Sequence, residues 1–258
     1  MNNKLFSDCI FEVENKTFVG HRILFQCRTP KFYESYIKNS SLDVPIVVQN
    51  VSSVLFLEFL YYVYSNKIPT DVTTQQSLET LIQSWEGDIV IGSYSLYTTQ
   101  LKSLLECTES KDVQFLVEDE IMPSHKIILS LRNEFFKALL TSGMAESQQS
   151  QIVLNDLQPS TIHVLLEYLY GGSTSSMSPN DAVLLLCTAS HIIDSRLKHI
   201  CENIIQNGID VENVVSLFEA ATFYSAIHLQ MFSRNFIINN FSTILKTEDW
   251  KVKYTSKL

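Results

Sequence analysis

The residues with the greatest capacity for chemistry are two cysteines and two histidines in the last third of the sequence: Cys187, His191, His199 and Cys201. Thiolate and imidazole groups are the usual ligands of zinc. Cys187 and His191 are four residues apart and would share one face of a helix, but His199 and Cys201 are only two apart and would not. Because cysteine on a Leu-rich helix usually belongs to the core, we expect no metal ion and no cofactor.

No other residue pattern points to catalysis. Gly171-Gly172 is followed by Ser and Thr, without the spacing to lysine that a phosphate-binding loop requires. The Gly-x-Ser-x-Gly turn that presents a nucleophilic serine does not occur. Since the carboxylates are scattered and have no evident partners, we expect a protein that is not an enzyme.

Composition and charge argue against several further classes. The 258 residues are enough for one large domain or two ordinary ones, and 45% of them are hydrophobic, which predicts a packed core. The net charge is −9 and there is no cluster of Lys or Arg, which argues against a nucleic-acid surface. No apolar run reaches the roughly 18 residues of a membrane span, so no membrane contact is expected.

The cysteines and the amino terminus bear on the compartment. Five scattered cysteines, an odd number, fit a reducing environment. Met1 to Phe6 lacks the apolar segment of a signal peptide. We therefore expect a cytoplasmic or nuclear protein.

The most regular pattern runs from Lys111 to Tyr170. Apolar residues at alternate positions 113, 115 and 117 predict a strand with one buried face. An acidic turn is expected next, then a helix over 123–132 that Ser124 could cap, and another over 133–142. A short strand at 152–154 and a helix over 158–170 complete the segment.

These residues, in this order, resemble the BTB (POZ) domain family. The resemblance rests on five motifs: Asp-Val-x-Phe at 112–115, His-Lys at 125–126, Phe-Phe at 135–136, Gly-Met-x-Glu-Ser at 143–147 and Leu-x-Tyr-Leu-Tyr-Gly-Gly at 166–172. It implies an α+β fold in which a helical cluster caps a short mixed sheet.

The first hundred residues repeat this segment in weaker form. Five blocks correspond: 7–11 with 111–115, 20–24 with 124–128, 31–33 with 135–137, 46–48 with 152–154 and 59–64 with 165–170. The offset is 104 between His21 and His125, and 106 between Tyr64 and Tyr170. A near-constant offset over five blocks indicates a duplicated module.

We therefore expect two BTB modules, residues 1–108 and 109–208, followed by C-terminal helices within 209–258. The remaining elements of the modules are predicted as helices at 75–85, 98–107, 181–192 (capped by Ser178 or Asn180) and 195–207, and a short strand at 89–91. Two further helices are predicted at 211–225 and 227–240, with Asp210 as a cap. This last pair resembles the start of the BACK region, or the 3-box extension alone.

The resemblance implies a role for Met144 and Glu146. In BTB proteins that bind cullin-3, the loop after the third helix often carries an apolar residue that fills a pocket on the cullin, and a glutamate two positions later that fixes the loop. The flexible thioether of Met144 suits an irregular pocket. Phe136 and Tyr170 are further candidate cullin contacts, with core packing as the alternative. In the first module Asn39 replaces the glutamate, so we expect only the second module to bind a cullin.

The resemblance also implies a charged pocket, formed by Asp8 with Arg22 and by Asp112 with Lys126. In the family, this aspartate lies close to the basic residue after the histidine, so that the two charges satisfy each other at a strand–helix contact. The same pocket contacts co-repressor peptides in some BTB transcription factors. The alternative is a purely structural role.

Single BTB domains usually form homodimers, often with an added N-terminal strand. Because only six residues precede Ser7, we expect the two modules to pair within one chain, with a homodimer as the alternative. Two functions remain open: an adaptor that brings an unknown substrate protein to a cullin-3 ubiquitin ligase, or an oligomerisation and co-repressor scaffold without ligase function. Tandem BTB modules also occur in longer proteins with ankyrin or other repeats.

Overall fold

The structure is a computed structural model that describes residues 5–107, 110–142, 151–153, 158–172, 177–251 and 253, with only the backbone of Asp249. The chain divides into two compact units. Unit 1 comprises 1–114, 123–131 and 170–172, and unit 2 comprises 115–122, 132–169 and 173–258. Among the described residues, no helix has both the length and the apolar character needed to cross a bilayer.

The first sheet has the strand order β2-β1-β3: β1 is Cys9–Val13, β2 is Lys16–Gly20 and β3 is Ile46–Val47. β1 pairs antiparallel with β2 and parallel with β3. The hairpin turn has positive φ at both Glu14 and Asn15, which matches the twist of the flanking strands. Alternation along β1 buries one face of the strand in the core.

The helices after β1 and β2 are α1 (Arg22–Arg28), α2 (Pro30–Phe32) with a π-helical turn (Tyr33–Ile37), α3 (Ser53–Ser65), α4 (Val72–Glu86) and α5 (Tyr94–Glu106). Side chains of Ser52, Asp71 and Ser93 accept backbone N–H groups and so begin α3, α4 and α5. The core is aromatic, with neighbouring ring centroids 4.6–6.2 Å apart among Phe11, Phe25, Phe32, Phe56, Phe59 and Trp85.

The strand predicted at 89–91 is wrong. Ile89 and Val90 have no regular secondary structure, Ile91 begins a turn before α5, and the Val90 side chain is 72% exposed. β-branched residues favour a strand only where a neighbouring strand and a buried face are available, and the described residues provide neither here.

The second sheet has the order β5-β4-β6, which matches the order of the first: β4 is Val113–Val117, β5 is Glu120–Ser124 and β6 is Gln151–Val153. The α+β class is confirmed. The predicted acidic turn is observed at Glu118 and Asp119, but β5 takes the place of the predicted helix start. Met122 points into the core from this strand, and Ser124 ends it instead of capping a helix.

The helices of this part are α6 (Lys126–Arg132), α7 (Glu134–Thr141), α8 (Pro159–Gly171), α9 (Pro179–His191) and α10 (Ser195–Gln206). Their predicted positions are confirmed to within a few residues. Ser178 forms a capping box with Asp181 at the start of α9, and the Asp194 side chain accepts the Leu197 N–H at the start of α10.

The predicted C-terminal helical pair is confirmed as α11 (Val214–Phe223) and α12 (Ile227–Asn239), followed by the short α13 (Phe241–Ile244) and α14 (Glu248–Trp250). Asp210 accepts the N–H groups of Glu212 and Asn213, one turn before α11. Val214, Val215 and Ile244 form a small buried cluster of their own, with Phe236 and Trp250 packed against it. α12 also packs against α10, within unit 2.

Candidate functional site

A surface groove of about 410 Å³ lies in unit 2, where α9 ends, α10 begins and α11 ends. Its lining includes Ile193, Asp194, Lys198, Phe223 and Tyr224. Two helix ends, one on either side, determine which side chains the groove presents.

The first helix end is the turn after α9. The Asp194 N–H donates to the Ala189 carbonyl at 2.9 Å and the Ile193 N–H to the Ser190 carbonyl at 3.3 Å, which is the hydrogen-bond pattern of a Schellman motif. This motif requires a left-handed residue, usually glycine, and here that residue is Ile193 with φ of 55°. A β-branched residue at positive φ is strained.

The turn after α11 has the same architecture. The Ala226 N–H donates to the Ala221 carbonyl at 2.7 Å, and the Ser225 N–H to the Thr222 carbonyl at 3.2 Å. Ser225 occupies the left-handed position with φ of 52°. Two Schellman motifs without glycine therefore border the groove.

Large apolar side chains stand outward at these two turns. Ile193 and Phe223 are each 81% exposed, the highest exposure among the large exposed hydrophobic side chains of the described residues. The Phe223 ring lies perpendicular to the Tyr224 ring at 5.0 Å. Exposed apolar side chains around a concave surface are typical of a site that another protein covers.

Polar groups at the base of the groove are held in place. Lys198 Nζ donates to the Tyr224 carbonyl at 2.5 Å, which joins α10 to the end of α11. Asp194 caps α10 and also accepts the Tyr168 hydroxyl at 3.2 Å. Burial, together with the negative charge of Asp194, raises the pKa of Tyr168 to about 12, so this hydroxyl stays protonated and remains a donor.

The predicted cullin contacts fall into two groups. Met144 and Glu146 lie outside the described residues. Phe136 and Tyr170 are 1% and 0% exposed, and Phe136 packs edge-on against Phe115 at 5.7 Å between centroids. Their burial places both side chains in the core, which was the alternative role considered for them. Neither side chain therefore offers a surface to a partner.

The histidines of the two repeats occupy equivalent sites. His21 Nδ1 lies 2.5 Å from the Tyr64 hydroxyl, and His125 Nδ1 lies 2.7 Å from the Tyr170 hydroxyl. In each repeat, the block that carries the histidine therefore contacts the block that carries the tyrosine in the same way. These are the blocks that correspond in sequence at offsets of 104 and 106. Burial raises the pKa of both tyrosines, that of Tyr170 to about 12.

The tautomer of His21 follows from its partners. Nε2 lies 2.8 Å from the Leu5 carbonyl oxygen, which can only accept, so Nε2 carries the proton. Nδ1 then accepts from the Tyr64 hydroxyl. Burial lowers the pKa of His21, although the Leu5 carbonyl and the charge of Asp8 oppose this shift. The neutral imidazole is therefore a structural link and not a general base.

The predicted charged pocket also repeats, but its chemistry differs from a salt bridge. Asp8 Oδ1 accepts the backbone N–H of Arg22 at 2.7 Å, and Asp112 Oδ1 accepts that of Lys126 at 2.7 Å. Each aspartate therefore anchors the first turn of a helix. Burial raises the pKa of Asp8, and the Arg22 amide and the charges of His21 and Arg22 oppose that shift.

The cation of the first pocket has other partners. The Arg22 guanidinium donates to the carbonyls of Ile37 and Ser40 at 2.8 Å each and to the Asp8 carbonyl at 3.0 Å. Within unit 1, Asp8, His21, Asp112 and His125 line a cavity of only about 40 Å³. A space of this size holds a water molecule and not a peptide side chain.

The four residues first considered for zinc do not come together as a ligand set in the part of the chain that the structure describes. Cys201 is buried in the core, and burial raises the pKa of its thiol to about 12, which disfavours the thiolate that a metal needs. His199 instead lies near Glu202 and His228. These two neighbours were not predicted from the sequence, although His199 and Glu202 have the i, i+3 spacing of residues on one helix face.

In comparison with known families, the BTB/POZ domain model matches residues 1–90 and 101–209. The chain therefore belongs to the BTB/POZ family.

Several curated proteins are similar to the chain. It is 29% identical over 164 residues to BTB/POZ and MATH domain-containing protein 3 of Arabidopsis thaliana, covering 58% of this chain and 40% of that protein. It is 32% identical over 146 residues to BTB/POZ domain-containing protein 9 of Drosophila melanogaster, covering 52% of this chain and 20% of that protein. Identity to Kelch-like protein 40b of Danio rerio is 26% over 150 residues, covering 58% and 24%. The chain thus spans less than half the length of these relatives, and the similarity supports a role as a protein-interaction adaptor.

Proposed function

We propose that this protein is an adaptor that recruits a substrate protein to a cullin-3-type ubiquitin ligase, through its second BTB module and the helices that follow. The observation that carries the proposal is the groove of unit 2, bordered by Ile193 and Phe223. The groove is formed by α9 and α10 of the second module and by α11, which follows it, and these are the parts of the chain to which the family resemblance assigns the cullin contact.

The shape and chemistry of the groove suit a segment of a partner with apolar side chains. Ile193 and Phe223 are exposed at two turns, each of which contains a residue with left-handed φ, Ile193 in one and Ser225 in the other. This conformation costs about 1–3 kcal/mol per residue. A binding function would explain why it is retained. Tyr224 and Lys198 add an aromatic face and a cation at the base. Aromatic anchors with a polar base are typical of the centre of a binding site.

We assign the modules as 1–108 and 109–208, with a partial BACK or 3-box region at 209–258. The two matched ranges, the common strand order and the equivalent histidine–tyrosine and aspartate–amide contacts support a tandem arrangement. The separate apolar cluster around Val214 supports the third segment. Met144 and Glu146, which lie outside the described residues, would belong to the cullin surface, whereas the buried Phe136 and Tyr170 would make no direct contact with the cullin.

A calorimetric titration of the full chain with the amino-terminal region of cullin-3 tests this function. We expect saturable binding that Phe223→Asp and Met144→Asp each weaken about tenfold or more, because a charge would replace an apolar contact. Val90→Asp is the matched control, since Val90 is also highly exposed but lies in the first module. Absence of binding by the unsubstituted chain would remove the ligase role, and unchanged affinity in Met144→Asp would remove the role of that residue.

The alternative function is an oligomerisation or co-repressor scaffold that uses the charged pocket of Asp8, Arg22, Asp112 and Lys126. The small cavity and the backbone partners of Arg22 weigh against a peptide site there. Selective binding of co-repressor peptides that is lost in Arg22→Ala and Lys126→Ala, with no cullin binding, would favour the scaffold.

A further inference from the structure

A second site lies in unit 2, where α10 packs against α12. His199 and Glu202 are one helical turn apart on α10, and His228 lies on α12. One ligand atom from each residue, an imidazole nitrogen or a carboxylate oxygen, lies within 4.8 Å of the other two. The two imidazole rings are perpendicular, with centroids 5.3 Å apart. Both histidines are exposed.

The carboxylate of this group is the unusual member. Glu202 is 3% exposed, and a buried carboxylate normally accepts several hydrogen bonds. Among the described residues its one polar contact is His199 Nδ1 at 3.7 Å, which is too long for a hydrogen bond. Glu202 is thus a buried carboxylate that lies close to two imidazoles.

We propose that His199, Glu202 and His228 bind a zinc-type divalent cation. Two imidazoles and one carboxylate form a recognised three-residue ligand set for Zn²⁺, whose fourth position takes water or a group from outside. Ligand bonds of about 2.0–2.1 Å imply ligand atoms about 3.4 Å apart in a tetrahedral site. Because both histidines are on the surface, rotation of their side chains can supply the small approach that is still needed.

The ion would have a mechanical effect as well as a chemical one. Two ligands come from α10, which belongs to the second matched range, and one comes from α12, beyond it. The cation therefore fastens the C-terminal helical pair to the preceding helix and stabilises their packing. The open fourth position also makes the site able to accept a histidine or carboxylate from another protein.

A plain i, i+3 ion pair between His199 and Glu202 is the simpler interpretation of the same contact. It gives no role to His228, whose ring stands perpendicular to that of His199 beside the carboxylate. A divalent cation accounts for both histidines and the buried carboxylate together. The proposal does not depend on the adaptor function, since it concerns different residues.

The test uses the full chain freed of metal with a chelator, then titrated with Zn²⁺ against a competing chromophoric chelator. We expect one equivalent to bind and to raise the midpoint of thermal unfolding. His228→Gln and Glu202→Gln should each raise the Kd about tenfold or more, with circular dichroism as the check on folding. His163→Gln is the matched control, because His163 is exposed and lies beside Glu120 in unit 2, outside the proposed site. Its Kd should be unchanged.

Cobalt substitution identifies the ligand type. A Co²⁺ complex on these residues should show the absorption of nitrogen and oxygen ligands, without the charge-transfer band of a thiolate. The proposal is overturned if the chain binds no zinc, if binding is equally tight in His228→Gln and in the unsubstituted chain, or if a thiolate band shows that the ion is held by cysteines.

Discussion

Arg28 shows how a single residue organises the first module. Its side chain is 1% exposed, and among the described residues no carboxylate pairs with it. Instead the guanidinium lies between the rings of Tyr62 and Tyr97, 4.6 and 4.7 Å from their centroids, and donates to Asn66 and Gln100. The charge is thus dispersed over two aromatic faces and neutral acceptors, which joins α1, α3 and α5.

Arg28→Leu should lower the free energy of unfolding by about 2–4 kcal/mol, because leucine fills part of the space but leaves buried acceptors without a donor. Urea denaturation followed by circular dichroism measures the change. Arg234→Leu, at an exposed position on α12, is the control and should change stability by less than about 0.5 kcal/mol. Equal stability of the two variants would show that the guanidinium contributes nothing.

His21 gives the protein a pH dependence. Its pKa is lowered in the folded state, so the unfolded chain binds more protons in the interval from the folded pKa up to the ordinary value of 6.5. The free energy of unfolding must therefore fall as the pH drops below 6.5. His21→Gln should show a weaker fall in that interval, by thermal or urea denaturation at a series of pH values.

Asp8 acts in the opposite sense at lower pH, because its raised pKa lets the folded state bind the proton first. For that reason the quantity to compare is the difference between His21→Gln and the unsubstituted protein at each pH. If this difference in the free energy of unfolding were constant from the folded pKa of His21 up to 6.5, the folded and unfolded states would bind the His21 proton equally well.

At the scale of elements, the helix end after α9 combines strain with exposure. Ile193 is left-handed and exposed, so its side chain gains nothing from burial in the isolated chain. Ile193→Asn should raise the free energy of unfolding by about 0.5–1 kcal/mol, because asparagine tolerates positive φ far better than a β-branched residue. The same substitution should weaken binding of the cullin region, because it removes the apolar contact.

Ile238→Asn is the matched control for that experiment. Ile238 is also exposed, but it lies in the last turn of α12 with helical geometry, where asparagine is the poorer helix former. It should be slightly destabilising and leave binding unchanged. If Ile193→Asn is destabilising to the same extent, the turn is not strained.

Helices and strands could be predicted from the sequence wherever buried residues recur with a regular period. The strand at 113–117, the helices from 126 to 206 and the duplicated blocks were all visible because their apolar residues repeat with the period of the element. The strand at 120–124 was missed, because Pro123 and Ser124 resemble the start of a helix and only pairing with β4 reveals the strand. The strand expected at 89–91 was wrong for the converse reason, because propensity without a partner does not form a sheet.

The sites were harder to predict than the elements. Asp8 and Asp112 were predicted to form a charged pocket with Arg22 and Lys126. In the structure, the two carboxylates accept hydrogen bonds from the backbone N–H groups of those residues. Contacts to the backbone leave no signature in the sequence. The groove depends on two left-handed residues, Ile193 and Ser225, and neither is a glycine that would have indicated the turn. The approach of His228 to Glu202 depends on the packing of two helices and could not be read from spacing within one of them.

At the scale of the whole molecule, we propose that the two modules pair within one chain. In unit 1, residues of the first repeat share a cavity with Asp112 and His125, and the Lys102 side chain lies where a side chain at Gly171 would stand. Size-exclusion chromatography with light scattering should give the monomer mass of 29.5 kDa over a wide range of concentrations. A dimer that persists on dilution would replace the internal pair with a homodimer.

The most direct test of the adaptor proposal is hydrogen exchange of the full chain, with and without the amino-terminal region of cullin-3. Binding should slow amide exchange at the turns 192–195 and 223–226 and in the segment that carries Met144, and leave the first module unchanged. No change at saturation, or protection confined to residues 5–107, would contradict the assignment of the ligase-binding surface to the second module.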